Sequence, residues 1–306
     1  MTLVMRGYAE TDLEVIIRIY NESFTNLQSS WANPMTLEWF VKRFGGALEL
    51  KSGTAFVAEY DREPVGYVLV RTQKRPQVGL VAYISGICVV PGYQRRGIGT
   101  KLIDNAMNWA RNQGVVLVEN DDEIIENQAA VKFFEKLGFE IFHRGAYMSK
   151  DLKLPDRFAF PKTLQVRELR AEDLDEVLKV RKETFKEFGP WYSVTDEEGF
   201  KPRYKERIGR KDIKVFVATK DDRLIGYVVC RITGDNTGSI GNVSVLPDRR
   251  RMGVGSALMA RSLVFLRKNN IQTLKTVTET AEGFYKKVGF KEDARFVRVR
   301  KSMSRN

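Results

Sequence analysis

The chain carries the same ordered landmarks twice, so any fold it adopts must be built from two copies of one unit. Gly66-Tyr67-Val68 recurs as Gly226-Tyr227-Val228. Val89-Val90-Pro91, an arginine-rich turn and Gly97-Ile98-Gly99 recur as Val245-Leu246-Pro247, a second arginine-rich turn and Gly253-Val254-Gly255. Lys132-Phe133-Phe134 with Lys136-Leu137-Gly138-Phe139 recurs as Gly283-Phe284-Tyr285 with Lys287-Val288-Gly289-Phe290. The order is kept while the spacings drift, as in duplicated domains whose loops have diverged. At 306 residues, each copy is long enough to close its own apolar core. The expected division is a first domain over 1–154, a linker over 155–163 that holds Pro155 and Pro161, and a second domain over 164–306.

Hydrophobic periodicity gives both copies the same mixed order of elements. Leu3 to Tyr8 alternates as a strand, and Thr11 with Glu14 reads as a capping box for a helix whose Leu13, Ile16, Ile17 and Tyr20 share a face. A helix is predicted over 34–44, a hairpin over 54–60 and 65–71, and a longer strand over 80–90. A long helix follows over 97–111, then a strand over 115–119 and a helix over 128–137 stopped at Gly138. The second copy repeats this with strands over 164–167, 214–219, 224–231, 240–246 and 273–278, and helices over 174–188, 253–268 and 282–288. The expected class is α+β with a mixed sheet, and a strand, a glycine turn and a long helix stand at the centre of each copy.

Composition removes several chemistries. Cys88 and Cys230 cannot build a disulfide framework and match no metal-ligand spacing, so both read as small core residues. The single histidine, His143, excludes zinc sites built on several histidines and has no nucleophile motif around it. No metal is expected. The longest near-apolar run, 78–91, is too short for a bilayer and is broken by Gly79, Ser85 and Gly86; no secretory signal opens the chain, and a cytoplasmic protein without membrane contact is expected. Residues 1–155 balance 18 Lys and Arg against 18 Asp and Glu, so the whole net charge of +12 lies in the second half. That excess favours an anionic partner: nucleic acid, an acidic small molecule or a phosphate-rich cofactor. A solvated basic surface is the plainer alternative.

The most informative stretch is Pro91 to Thr100, with its counterpart Pro247 to Ser256. In each, a strand ends at a proline, arginines fill the turn and two glycines open a long helix. Unpaired first-turn amides and the positive end of the helix dipole make an anion site there, and glycine lets a ligand approach the backbone. Arg95 and Arg96, or Arg250 and Arg251, can add charge-assisted bonds worth about 1.5 to 3 kcal/mol each. A pyrophosphate fits. The spacing is wrong for a nucleotide P-loop, and the third glycine of a dinucleotide fingerprint is missing.

These residues resemble a family. Gln94-Arg95-Arg96-Gly97-Ile98-Gly99 and Arg250-Arg251-Met252-Gly253-Val254-Gly255 match the Gln/Arg-x-x-Gly-x-Gly/Ala signature of the GNAT N-acetyltransferase superfamily. Asn127, Ala130, Phe134, Gly138 and Phe139 are similar to that family's later helix motif, as are Thr278, Ala281, Tyr285, Gly289 and Phe290. The tandem arrangement resembles mycothiol synthase in architecture. The resemblance implies that acetyl-CoA is the acyl donor and that its pyrophosphate lies on the turn residues Gln94 to Gly99 and Thr100, or Arg250 to Gly255 and Ser256. Its pantetheine arm would pair with Ile87, Cys88 and Val89, or with Val243, Ser244 and Val245, and Asn127 belongs to the same implied site.

An amine acceptor with a pKa near about 10.4 is only about 0.04% neutral at pH 7, so the site must help remove a proton and return one to the departing thiolate. The resemblance implies a tyrosine as that acid, which the second copy supplies as Tyr285 and the first replaces with Phe134. It implies a glutamate on the central strands as base, for which Glu119 is the candidate and Glu279 a weaker one. The second copy is therefore the expected catalyst. Trp31, Trp39, Trp191 and Tyr192 fall where the family walls its acceptor pocket. The expected activity is direct acetyl transfer to the amine of a small-molecule or protein acceptor, an anionic one included. The alternative is a silent acyl-CoA-binding module whose basic half holds nucleic acid or another anion.

Overall fold

The computed structural model describes residues 2–24, 35–41, 45, 52–75, 78–120, 124–125, 129–156, 158–159, 161, 163–186, 197–234 and 236–303. Two compact units form, Met1–His143 with Val297–Asn306, and Arg144–Phe296. The division therefore departs from a cut at the linker, because the last strand of each half completes the sheet of the other unit.

In the first unit the sheet runs β1 (Leu3–Gly7), β2 (Gly53–Tyr60), β3 (Glu63–Arg75), β4 (Gly79–Val89), β5 (Leu117–Asn120) and then β13 (Lys291–Ser302). Neighbours are antiparallel except β4 and β5, which are parallel. A short β6 (Ile124–Ile125) also pairs with β13. The helices are α1 (Leu13–Phe24), α2 (Leu37–Phe40), α3 (Ile98–Asn112) and α4 (Ala129–Lys136). Ile98, Leu102, Ile103, Ala106 and Ala110 recur at helical spacing and bury one face of α3 against Val68, Val70, Ala82 and Ile84, with Val297 and Val299 of β13 in the same core. Ile16 and Ile19 of α1 pack with Tyr67, Leu69 and Cys88 on the opposite sheet face. Fully burying an aliphatic side chain of this size contributes about 1.5–3 kcal/mol.

The second unit repeats this plan. Its sheet runs β7 (Glu140–Asp151), β12 (Thr273–Thr278), β11 (Thr237–Val245), β10 (Arg223–Gly234), β9 (Ile213–Lys220) and β8 (Gln165–Glu168), with β11 and β12 parallel. Its helices are α5 (Leu174–Phe185), α6 (Glu197–Lys205), α7 (Val254–Lys268) and α8 (Glu282–Lys287). α7 buries Leu258, Met259, Leu263 and Leu266 on one sheet face, and α5 with α6 buries Val177, Phe200 and Tyr204 on the other.

Small details repeat as well. Arg6 holds Asp12 at 2.6 and 2.7 Å, as Arg167 holds Asp173. Each aspartate also accepts the backbone N–H three residues before it, from Ala9 at 2.8 Å and Arg170 at 2.7 Å. Asp12, rather than the expected Thr11, therefore ties off the start of α1. The predicted strands lacked β7 and β13, and Lys301 of β13 donates to the Leu137 carbonyl that ends α4. The stretch 155–163 is not a loose tether. Arg267 donates to the Leu152 and Leu154 carbonyls and to both oxygens of Asp156, and Phe158 packs on the core of the second unit.

Candidate active site

Each unit opens its sheet at the same place. β4 and β5 pair from Val81–Leu117 to Ile84–Asn120, and β4 then runs on to Val89 with no further β5 partner among the described residues. The bulge behind this splay is at Ser85, since Leu69 pairs with Gly86 and Val70 with Ile84. β11 and β12 pair only from Thr237–Thr273 to Ser239–Lys275. The bulge in β11 includes Asn242, whose φ of 53° is in the left-handed region. Ile87 to Val89 and Val243 to Val245 thus each stand on a strand edge that faces a wedge, where an extended chain can take backbone hydrogen bonds.

The turn at the end of each wedge has the same backbone. Arg95 and Gly97 have φ of 62° and 77°, and Arg251 and Gly253 have 61° and 80°. The first signature side chain is used locally: Gln94 Nε2 donates to the Val89 carbonyl at 2.9 Å and Arg250 Nε to the Val245 carbonyl at 3.3 Å, which anchors each turn to its strand. Lys101 N–H is already bonded to Gly97 O, so the amides of Ile98, Gly99 and Thr100 come before the helix's own ladder. Arg96 stacks over Tyr60 and Tyr93 at 5.5 and 5.3 Å.

The two turns differ in what faces their first glycine. Among the described residues, a Cβ on Gly97 would meet nothing within 4 Å, whereas on Gly253 it would lie 2.4 Å from Pro161 Cδ. The linker proline therefore packs directly against the first glycine of the second turn. The second glycine serves packing instead, because a Cβ on Gly99 or Gly255 would press on Phe133 or Phe284 at 3.3 or 3.0 Å.

Tyr285 is buried in the core between Phe284 and Phe290, each 5.2 Å away. Burial pushes its pKa up against the opposing influence of Thr276, beside which its hydroxyl lies. Thr276 Oγ1 in turn donates to the Ile240 carbonyl at 2.9 Å, across the point where β11 and β12 separate. Phe134 takes the equivalent place in the first unit, with Phe133 and Phe139 around it.

Glu119 is buried with both carboxylate oxygens on Arg75, at 3.1 and 2.7 Å, and Arg75 also donates to the Tyr83 hydroxyl. Burial works against the Arg75 charge, but the bonds to Glu119 outweigh it and hold its pKa above the ordinary value. Next to Glu119, Asn120 is 5% exposed and its Oδ1 has no hydrogen-bond partner, at the last β4–β5 pair before the wedge. The residue pattern did not point to Asn120, since a polar strand end is ordinary.

The remaining candidates are simply placed. Burial pushes the Cys230 thiol up to about 12, which leaves it inert, and Cys88 is likewise buried in the core. His143 packs edge-on to Phe142. Asn127, Trp31, Trp191 and Tyr192 lie outside the described residues, as does the Trp39 side chain. No group of three or more metal-ligating side chains occurs among the described residues, and none of their helices is long and apolar enough to cross a membrane.

The profile of the acetyltransferase (GNAT) family matches residues 13–139, and that of a GNAT acetyltransferase domain matches residues 211–292. The chain belongs to the GNAT acetyltransferase family, as a tandem of two such domains. An uncharacterised N-acetyltransferase of Methanocaldococcus jannaschii is 30% identical over 151 residues, 45% of this chain and 61% of that protein. An N-alpha-acetyltransferase of Sulfurisphaera tokodaii is 26% identical over 147 residues, 43% of this chain and 82% of that one. The fold of the whole chain is also that of a tandem GNAT protein from the clavulanic acid biosynthesis pathway, with a TM-score of 0.70, 18% identity and full coverage of both chains. A GCN5-related N-acetyltransferase from Sphaerobacter thermophilus gives 0.71 and 20%, covering 98% of this chain and 95% of that one.

Proposed function

We propose that the chain transfers an acetyl group from acetyl-CoA to an amine, and that the donor is loaded in the first unit. The observation that carries this is the open face of Gly97 beside a wedge that ends in the unsatisfied Asn120. The amides of Ile98, Gly99 and Thr100, with Arg95 and Arg96 close by, hold the pyrophosphate, and the edge of Ile87 to Val89 holds the pantetheine arm. Acetyl-CoA supplies the activated thioester. Asn120 meets the donor at the base of the wedge, and Arg75 with Glu119 fixes the floor beneath the acceptor. In this reading Tyr285, the acid that the family resemblance implies, serves the core of the second unit and ties its wedge through Thr276 and Ile240.

Calorimetric titration with acetyl-CoA tests this directly. One equivalent is expected to bind, to be lost in Gly97→Glu by a factor of at least a hundred, and to persist in Gly253→Glu. The opposite pattern would return the donor to the second unit, and no binding in the parent chain would end the acetyl-CoA reading altogether.

A further inference from the structure

The second unit concentrates positive charge on the sheet face that carries α5 and α6. Tyr227 and Arg231 lie two residues apart twice over on β10 and so share that face. Tyr204, just C-terminal in α6, is the hub. Its ring is 6.0 Å from Tyr227, Arg207 lies over it at 4.3 Å, and Asn242 Nδ2 donates to its hydroxyl at 3.3 Å. Arg231 Nη1 comes within 3.7 Å of the Cβ position of Gly241, at the β11 bulge, and Arg181 lies over Phe200, which stacks on Tyr204.

Among the described residues, no carboxylate forms an ion pair with Arg181, Arg207 or Arg231. The acids nearest in the chain are turned elsewhere: Asp212 grips Arg210 at 2.6 and 2.9 Å, and Glu206 also acts on Arg210. Burial and then the like charge of Arg207 hold the Arg231 pKa below its ordinary value. Among the described residues, two buried polar atoms of the cluster have no hydrogen-bond partner, Nη1 of Arg207 and the hydroxyl of the fully buried Tyr227, which lies close to Arg181 and Ser244. In the first unit Glu119 pairs with Arg75, whereas Lys275 holds the Glu119 register position in the second unit.

Like charges gathered at half-buried positions, together with orphaned donors, are unfavourable in isolation and become favourable when a ligand brings the missing acceptor oxygens. We propose that the second unit binds a small-molecule oxyanion, a carboxylate or a phosphate, between Arg181, Arg207 and Arg231, with Tyr227 donating a further hydrogen bond. The site does not depend on which unit loads acetyl-CoA. A macromolecular anion is disfavoured because the orphaned donors are buried rather than spread over a surface.

The test is calorimetric titration of the full chain with sodium phosphate and, separately, with sodium malonate. Saturable binding of at least one probe at a single site is expected, weakened at least tenfold in Arg207→Gln and in Arg231→Gln, severalfold in Tyr227→Phe, and unchanged in Arg249→Gln. Preference for phosphate identifies a phosphorylated ligand, and preference for malonate a carboxylic acid. Without probe, Arg231→Gln is expected to raise the Tm, since it relieves like-charge repulsion, whereas a merely structural arginine would lower it. Acetyl-CoA affinity measured on the same variants should not move, which separates this site from the donor site. Absence of saturable binding by both probes, or binding indifferent to both arginine substitutions, overturns the proposal.

Discussion

The two units share a backbone plan down to the left-handed arginine and glycine of the turn, yet they present opposite surfaces to a ligand. In the first, no described residue stands before Gly97 and Arg75 on the floor is paired with Glu119. In the second, Pro161 stands against Gly253, and among the described residues no carboxylate pairs with the three arginines on the corresponding face. Duplication preserved the geometry of the glycine turn while the side chains around it diverged. A signature motif therefore reports that a turn can form, and the neighbours that fold against it decide whether it is accessible.

Breaking the Arg75–Glu119 pair should have the largest effect. Glu119→Gln leaves Arg75 buried without its partner and is expected to cost about 3–5 kcal/mol of unfolding free energy, read by urea denaturation. A cost below about 1 kcal/mol would show that the pair is not what distinguishes the first unit. Removing the cover from the second turn comes next. Pro161→Gly should expose a second acetyl-CoA equivalent about tenfold weaker than the first, or about 1.4 kcal/mol, and an unchanged stoichiometry would mean that the proline is not the obstacle. Tyr285→Phe is expected to leave acetyl transfer within about twofold and to lower stability by about 1 kcal/mol, through the contact with Thr276. Turnover that collapsed while the fold stayed intact would restore Tyr285 as an acid and the second unit as the catalyst.

The smallest effect should be alike in both units. The Arg6 bond holds Asp12 below the usual aspartate range, and Arg167 does the same for Asp173 against an opposing influence of burial. A depressed folded-state pKa means stability that is present above the unfolded value, near about 4, and is lost as pH falls further. Asp12→Asn and Asp173→Asn should each flatten that acid loss by up to about 1 kcal/mol, seen in melting curves between pH 5 and pH 2. A clear inequality between them would show that the two caps have diverged as the ligand faces have.

The repeat made most of the elements legible, because the periodicity of α3 and α7 and the alternation of the central strands are local properties. Partnership is not local. β7 and β13 are not among the strands that the periodicity predicts, and nothing in their sequences says across which sheet each pairs. The Glu119–Arg75 pair spans 44 residues and appears only once β3, β4 and β5 lie side by side. Glycine spacing located both turns correctly, but Pro161 meets Gly253 through a fold of the linker that no motif encodes. The arginine cluster was visible only as the charge of the second half, since Arg181, Arg207 and Arg231 come from three elements that converge on Tyr204.

The exchange of terminal strands also sets an order on synthesis. The edge of β5 receives Arg300, Lys301 and Ser302, which lie far downstream of it in the chain, so the first half emerges with an unpaired strand edge and must wait for that partner. Separating the halves at the linker would strand that edge for good and leave the first half prone to pair with other chains.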